Sequence, residues 1–532
     1  MGFAIAVEPY IHYSNHISPD SIIIMNKVFG VLFVGFVLAI GSASSPSIAG
    51  NWNQADKSPW KAQDIKQSLS IFDFWLRFNY QQKKNICKRD PNHLSCTSED
   101  ETAVLNQLPD ANKARVYREG WVLPFKRNPN YETLLYYLYK YTESHKAFDP
   151  LTYQWLRYEI KPSNKKMQLK SNVKPFALAG KQMQTKGILS YLFFENGEIT
   201  VDEISPRNRF GDFISNKTRF RSNSMGKSIA SYVLGHAICE GIIDSEDAII
   251  DDWPLLEGTL YNDQKLIDLL NMTAGDQRFV YDSHYLLNGR ANRSVNTEIE
   301  TKSIRQNMVN FRNKQPSSNR IYNYNVMNTY LILNYVLFKS GKDFEPLLQR
   351  IFAERVGIEN SVYFFKNRYS YPAAGNISNM FFASRYDYLR IAIKILHDWQ
   401  SDNCVGQYLK RIYEKRVPKN LKNLNDEPQF NRSKSYGGQF HFEYPGINKR
   451  KVIGMGGYGG QAILIDTDSS RIVVVNSLHY NHNKFKYDVK GLLINPIKNG
   501  IGQKTTGIQG FFTKKSPVFE DNKKPTKYDR TV

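Results

Sequence analysis

The sequence predicts an α/β (α+β) fold: an antiparallel sheet flanked by helices, with an all-helical subdomain between the stretches that build the sheet. Three observations carry this reading. ILSYLFF at 188–194, the pair Asn196-Gly197 and then EITVDEI form a hairpin signal, because Asn-Gly readily takes the positive backbone angles of a two-residue turn. Near the other end, QAILIDTDSSRIVVVNSL at 461–478 is a second pair of apolar strands around a polar turn. Between them the apolar spacing turns helical, at 225–240, at 264–270, at 329–339 with Gly341 as the stop, and at 384–399. Strands at both ends and helices between imply that the sheet is closed by pairing the beginning of the domain with its end.

The chain has 532 residues, enough for a large core and more than one structural unit. Residues 1–49 read as an upstream extension and a signal peptide beginning near Met25: Lys27, the apolar run VFGVLFVGFVLAI, then small residues with candidate cleavage points after Ala43 or Ala49. The run is shorter than the roughly 20 residues a bilayer crossing takes, so export to a periplasmic or secreted location is expected, with a membrane anchor as the alternative. Residues 50–180 read as an accessory, mainly helical segment, 181–500 as the main domain, and 501–532 as a basic mobile tail.

The aromatic fraction of 13% argues against disorder over most of the length. Four cysteines are few for an exported chain, so the fold must stand on its core. Cys87 and Cys96 bracket a short polar loop and are candidates to pair; Cys239 reads as core packing and Cys404 stays open. No metal-ligand spacing is present, and no cofactor is expected. The formal charge of +21 suits an anionic envelope surface as a second partner. Nucleic acid is not expected, because no basic recognition helix or aromatic-basic module accompanies that charge.

The chemistry gathers in RSNSMGKSIASYVLGHAICEGII, residues 221–243. On a helix, residues three apart share a face, so Ser224 and Lys227 stand side by side at the first turn of an otherwise apolar helix. Desolvation disfavours a lysine's ammonium form, and a neutral amine beside Oγ can take its proton and leave a nucleophile. Ser-x-x-Lys alone is weak, since Ser58-Lys61 and Ser163-Lys166 match it in polar surroundings. His236 reads as a core histidine, His441 and His479 are unplaced, and no Gly-x-Ser-x-Gly supports a Ser-His-Asp triad.

The order of motifs adds what the pair lacks. The opening hairpin, RFRSNSMGKSIAS, KLIDLLNMTAGD at 265–276, IYNYNVMNTYLIL at 321–333, the Ala-Ser-Arg-Tyr-Asp segment from Ala383, and GMGGYGGQ at 454–461 together resemble the serine β-lactamase-related, penicillin-binding-protein-like hydrolases. The likeness is nearest the branch of esterases and 6-aminohexanoate-dimer hydrolases. It implies a β-lactamase/transpeptidase-like fold over about 187–478. It also implies a catalytic tyrosine opening a Tyr-x-Asn or Tyr-x-Ser motif; Tyr322 and Tyr324 compete, and the spacing to the following helix favours Tyr324. Val326 stands where that motif has its polar residue, so Asn325 or Asn328 is expected to supply the substrate contact instead.

The family's Lys-Thr-Gly or His-x-Gly element is here Met455-Gly456-Gly457, followed by Tyr458. By resemblance, the N–H groups of Ser224 and Tyr458 form an oxyanion hole, Gly457 lets substrate lie close to the strand, and Gln461 is a further binding candidate whose alternative is a structural role. Loss of the cation that holds a β-lactam carboxylate turns the expectation from penicillins towards a small-molecule or peptide-like ester or amide. No acidic residue presents itself as a deacylating base, so deacylation also falls to Tyr324 and Lys227. Rival readings are a cell-wall D-peptide peptidase or penicillin-binding enzyme, a non-catalytic binding protein on the same fold, and a polyanion-binding surface protein. The oligomeric state stays open, as does the part played by 276–301 and 403–442, expected as loops at the pocket rim.

Overall fold

The computed structural model describes residues 157–206, 210–211, 214–280, 304–366, 377–419, 433–478 and 486–501, with Thr142 and the paired strands Phe148–Asp149 and Gln154–Trp155. The expected leader, most of the expected accessory segment, Cys87 and Cys96, His479 and the tail beyond Ile501 lie outside the described residues.

In chain order the strands are β1 (Arg157–Ile160), β2 (Lys170–Ser171), β3 (Ile188–Glu195), β4 (Glu198–Ile204), β5 (Arg219–Arg221), β6 (Val362–Lys366), β7 (Ile377–Ser384), β8 (Val417–Pro418), β9 (Ser435–Gly437), β10 (Phe440–Phe442), β11 (Val452–Gly457), β12 (Gln461–Asp466) and β13 (Arg471–Ser477). Ile249–Ile250 and Gln264–Lys265 form a further short pair. The helices are α1 (Ala177–Thr185), α2 (Met225–Cys239), α3 (Leu266–Leu270), α4 (Ile304–Met308), α5 (Met327–Ser340), α6 (Phe344–Gln349), α7 (Arg385–Ser401), α8 (Cys404–Glu414) and α9 (Asn495–Asn499).

Nine strands form the main sheet in the order β8-β9-β10-β11-β12-β13-β3-β4-β2, antiparallel except where β2 runs parallel to β4. The opening hairpin forms as expected: Asn196 and Gly197 have φ of 55° and 82°, and Glu195 faces Glu198. The last hairpin joins it through β13 and β3, with Ile472 opposite Phe194 and Asn476 opposite Ser190. Ser477 Oγ donates to the carbonyl of Gly187 at 3.0 Å across a separation of 290 residues. The sheet is therefore closed from both ends of the domain. Four more strands form a second antiparallel sheet, β1-β6-β7-β5.

These strands read as nearly continuous apolar runs because both faces of the sheet are covered. Leu189, Leu192, Ile463, Ile465, Ile472 and Val474 pack on one face into the large core with α2, α5, α7 and α8. The alternate residues Tyr191, Phe193, Leu464, Val473 and Val475 pack on the other against α1 and the segment carrying Leu492, Leu493 and Ile497. The expected boundary at 180/181 falls inside α1, and β1 and β2 also precede it.

The helices follow their local signals. Ser384 caps α7, accepting from the Asp387 N–H at 3.1 Å, and Gly341 ends α5 with φ of 54°. Gly241, at φ 72°, ends α2 in the left-handed conformation expected there. Residues 403–442 are not simply a rim loop: Asn403 caps α8, accepting from Gly406 N–H at 2.9 Å, and β8, β9 and β10 follow, with 420–432 outside the described residues. Cys239 is likewise more than core packing. It is disulfide-bonded to Cys404, tying the end of α2 to the start of α8. Among the described residues, no helix is long and apolar enough to cross a membrane.

Candidate active site

Ser224 stands at the junction of β5 and α2, where three local features set the turn. Asn223 takes φ of 49°, Ser224 is already helical at φ −69° and ψ −12°, and the Lys227 N–H donates to the Ser224 carbonyl at 3.0 Å. Lys227 thus lies one turn along the helix from Ser224, as its spacing implies. The turn is anchored to β7: Ser222 N–H donates to the Phe381 carbonyl at 2.8 Å, and Ser222 Oγ accepts from the Phe381 N–H at 2.9 Å. At Gly226 the two backbones approach so closely that a Cβ would lie 1.7 Å from the Asn379 carbonyl oxygen.

Every residue of α2 from Met225 to Ile238 is buried, Lys227 included, at 3% exposed. Its Nζ lies 5.2 Å from the centroid of the Tyr324 ring, close enough for the ring face to interact with a cation. Lys227 from α2 and Tyr324 from the segment before α5 are therefore drawn together, one helical turn along from Ser224. By contrast, the Ser163-Lys166 match has its lysine paired with Glu359 at 2.5 Å on the surface. Tyr322 lies tilted against both neighbours, 6.5 Å from Tyr324 and 5.2 Å from Tyr436, while Tyr324 meets Tyr436 edge-on at 6.0 Å. Burial raises the Tyr436 phenol well above its ordinary range, and charge on Tyr324 would raise it further.

The glycine-rich end of β11 packs against the same turn. A Cβ at Gly457 would lie 2.3 Å from the Ser222 carbonyl oxygen, so only glycine admits this approach of strand to turn. Asn223 Nδ2 donates to the Tyr458 carbonyl at 2.7 Å, tying the residue before Ser224 to the residue after Gly457. The peptide groups of Ser224 and Tyr458 belong to these two linked segments. Met455 points into the large core and offers the site no charge.

Two expected binding residues are engaged elsewhere, and a third is buried. The Gln461 amide donates to the Ser477 carbonyl and accepts from the Ser477 N–H at 3.2 Å; the β12–β13 ladder ends at Ala462 opposite Val475, and the side chain satisfies the Ser477 backbone beyond it. Asn325 is 1% exposed and accepts from the Asn328 N–H at 3.0 Å, capping the first turn of α5. Asn328 is fully buried, and neither atom of its amide has a hydrogen-bond partner among the described residues.

Sequence reasoning missed two buried polar groups behind these residues. Gln439, with φ of 66°, accepts from Thr329 Oγ1 at 2.7 Å, donates to the Leu269 and Leu270 carbonyls at 3.0 Å each, and receives Ser228 Oγ on its carbonyl at 2.6 Å. It joins α2, α3 and α5. Asp276, also expected at the rim, is fully buried beneath the Tyr324 segment. The pair of asparagines flanking Tyr324, with an aspartate ending KLIDLLNMTAGD, was the available signal. His236 is buried, with Nδ1 3.0 Å from Arg355 Nη1, and burial with that cation holds its pKa down to about 3. His441 is buried in β10 against Tyr436, its Nδ1 3.2 Å from Ser433 Oγ. No group of histidine, cysteine, aspartate and glutamate that could hold a metal ion occurs among the described residues.

No protein-family profile matches the chain, and no curated protein sequence does. Solved structures do. A candidate 6-aminohexanoate-dimer hydrolase from Bacillus anthracis aligns over 66% of this chain and 93% of its own, at 14% identity and a TM-score of 0.47. The octameric penicillin-binding protein homologue from Pyrococcus abyssi aligns over 60% and 75%, at 15% identity and 0.39. The D-amino acid amidase from Ochrobactrum anthropi SV3 aligns over 59% and 95%, at 13% and 0.40.

Proposed function

We propose that the protein is a serine hydrolase of the β-lactamase-related type that cleaves an ester or amide through an acyl-enzyme on Ser224. The observation that carries this reading is the approach of a buried Lys227, one helical turn from Ser224, to the Tyr324 ring at 5.2 Å, with the bare backbone of Gly457 against the turn before Ser224. Lys227, with Tyr324, takes the proton from Ser224 Oγ as that oxygen attacks the carbonyl carbon. The N–H groups of Ser224 and Tyr458 receive the developing oxyanion. Tyr324 returns the proton to the departing alcohol or amine, and the same two groups then activate the water that releases the acid. The absence of a cation at Met455 favours a neutral acyl group over a β-lactam carboxylate. The Cys239–Cys404 bond supports folding in an oxidising compartment, and with it export.

The test is intact-mass analysis after incubation with a fluorophosphonate, beside a folded Ser224→Ala variant. One adduct on the wild type and none on the variant is expected. An adduct on both, or none on a well-folded wild type, would overturn the assignment; acylation by a penicillin would instead favour a cell-wall peptidase.

A further inference from the structure

Asp276 follows the turn after α3, where Gly275 has φ of 76°, and it is fully buried. A buried carboxylate persists only when its oxygens are satisfied. Tyr261 OH donates to Oδ2 at 2.9 Å, Asn323 Nδ2 to Oδ1 at 3.0 Å, and Asn325 Nδ2 to Oδ2 at 3.2 Å. The two asparagines are the residues on either side of Tyr324. Each is held at a second point: Asn323 Nδ2 also donates to the Val280 carbonyl at 2.9 Å and Asn323 N–H to the Met272 carbonyl at 2.8 Å, while Asn325 Oδ1 caps α5. The segment therefore runs across the carboxylate with a tie before and a tie after the tyrosine. That leaves the Tyr324 backbone little freedom and presents its ring to Lys227.

We propose that Asp276 is the positioning residue for Tyr324, holding the phenol in register with Ser224 and Lys227 through the amides of Asn323 and Asn325. The inference rests on the hydrolase reading above, since without it Tyr324 has no proton to move. Protonation would disturb the arrangement, because a carboxylic acid places a hydrogen where a donor now points. Burial raises the Asp276 carboxyl to about 6, against the lowering effect of its donors. The groups that face it are the Tyr261 hydroxyl, whose own pKa is pushed well above the usual range by burial and by Asp276, and two uncharged amides; no charged side chain is among its hydrogen-bond partners.

The experiment measures the second-order rate of fluorophosphonate labelling against pH for the wild type, Asp276→Asn, Tyr324→Phe and the double variant. Asp276→Asn keeps the shape but replaces one acceptor oxygen by a donor. It should label Ser224 roughly 10- to 100-fold more slowly, the scale of a misplacement near 1 Å. It should also lose the part of the acid limb that falls near pH 6, the pKa of Asp276. The loss should largely disappear in the Tyr324→Phe background, because the residue acts through that hydroxyl.

Equal slowing in both backgrounds, or an unchanged rate and pH profile, would overturn the proposal while leaving the hydrolase reading intact. Should Asp276→Asn fail to fold, Asn323→Ala removes one tie alone. A several-fold slowing that vanishes with Tyr324→Phe would then support the assignment, and no slowing would overturn it. A folded wild type that takes no label removes the hydrolase reading, and this inference with it.

Discussion

Gly457→Ala tests the geometry of the site with one methyl group. The added Cβ would stand 2.3 Å from the Ser222 carbonyl oxygen and 2.9 Å from Gln461 Cβ. A relaxed carbon-oxygen contact is about 3.3 Å or more, so strand and turn must separate by about 1 Å. The turn cannot easily yield, because Ser222 is bound to Phe381 through both its N–H and its hydroxyl. Nor is Gln461 free to swing away, since both ends of its amide hold Ser477. The end of β11 must therefore move, carrying the Tyr458 peptide away from Ser224. Overpacking of this kind costs about 1–3 kcal/mol of stability, and a shift near 1 Å at a reacting centre costs on the order of 100-fold in rate. The assay is the fluorophosphonate labelling rate, measured with the urea midpoint. Gly180→Ala is the control, because a Cβ added there would meet nothing within 4 Å and the residue sits in α1, where alanine should be neutral or stabilising. Labelling by Gly457→Ala within about threefold of the wild type, with stability unchanged, would refute the reasoning, since strain of about 1 Å would then have no consequence.

Tyr324→Phe should lower the labelling rate by a factor on the order of 100 or more, and Tyr322→Phe by no more than about threefold, because the proposed mechanism gives proton transfer to the phenol of the ring that Lys227 approaches; the reverse ranking would transfer the role to Tyr322. His236 gives the pH dependence of stability. Its folded pKa is depressed from 6.5 to about 3, so its contribution is complete above pH 6.5 and is lost as the pH falls towards 3, at about 1.4 kcal/mol per pH unit. Asp276, raised from 3.8 to about 6, acts in the opposite sense, adding stability as the pH falls through that interval. Urea melts of the wild type and His236→Gln from pH 7 to 4 separate the two; the variant should lose less stability on acidification, and parallel curves would contradict a buried neutral imidazole.

The hairpins, the buried helix α2 and the spacing of Ser224 from Lys227 were all legible in the sequence. Each depends on residues a few positions apart: Asn196-Gly197 makes its own turn, Ser384 caps its own helix, and a three-residue step on a helix shares a face wherever the helix lies. Periodicity shows which side of an element is buried, but not what it is buried against. The partner of Cys239, 165 residues away at Cys404, could not be read from either neighbourhood. The same holds for Gln461, whose amide looked available until the Ser477 backbone claimed it, and for Asp276, whose surroundings come from three separated segments. Local sequence determined the elements and the order of the reactive groups along them. Tertiary packing decided which polar side chains face the site and which are consumed in holding it, because a buried donor or acceptor must find a partner wherever the fold brings one within reach.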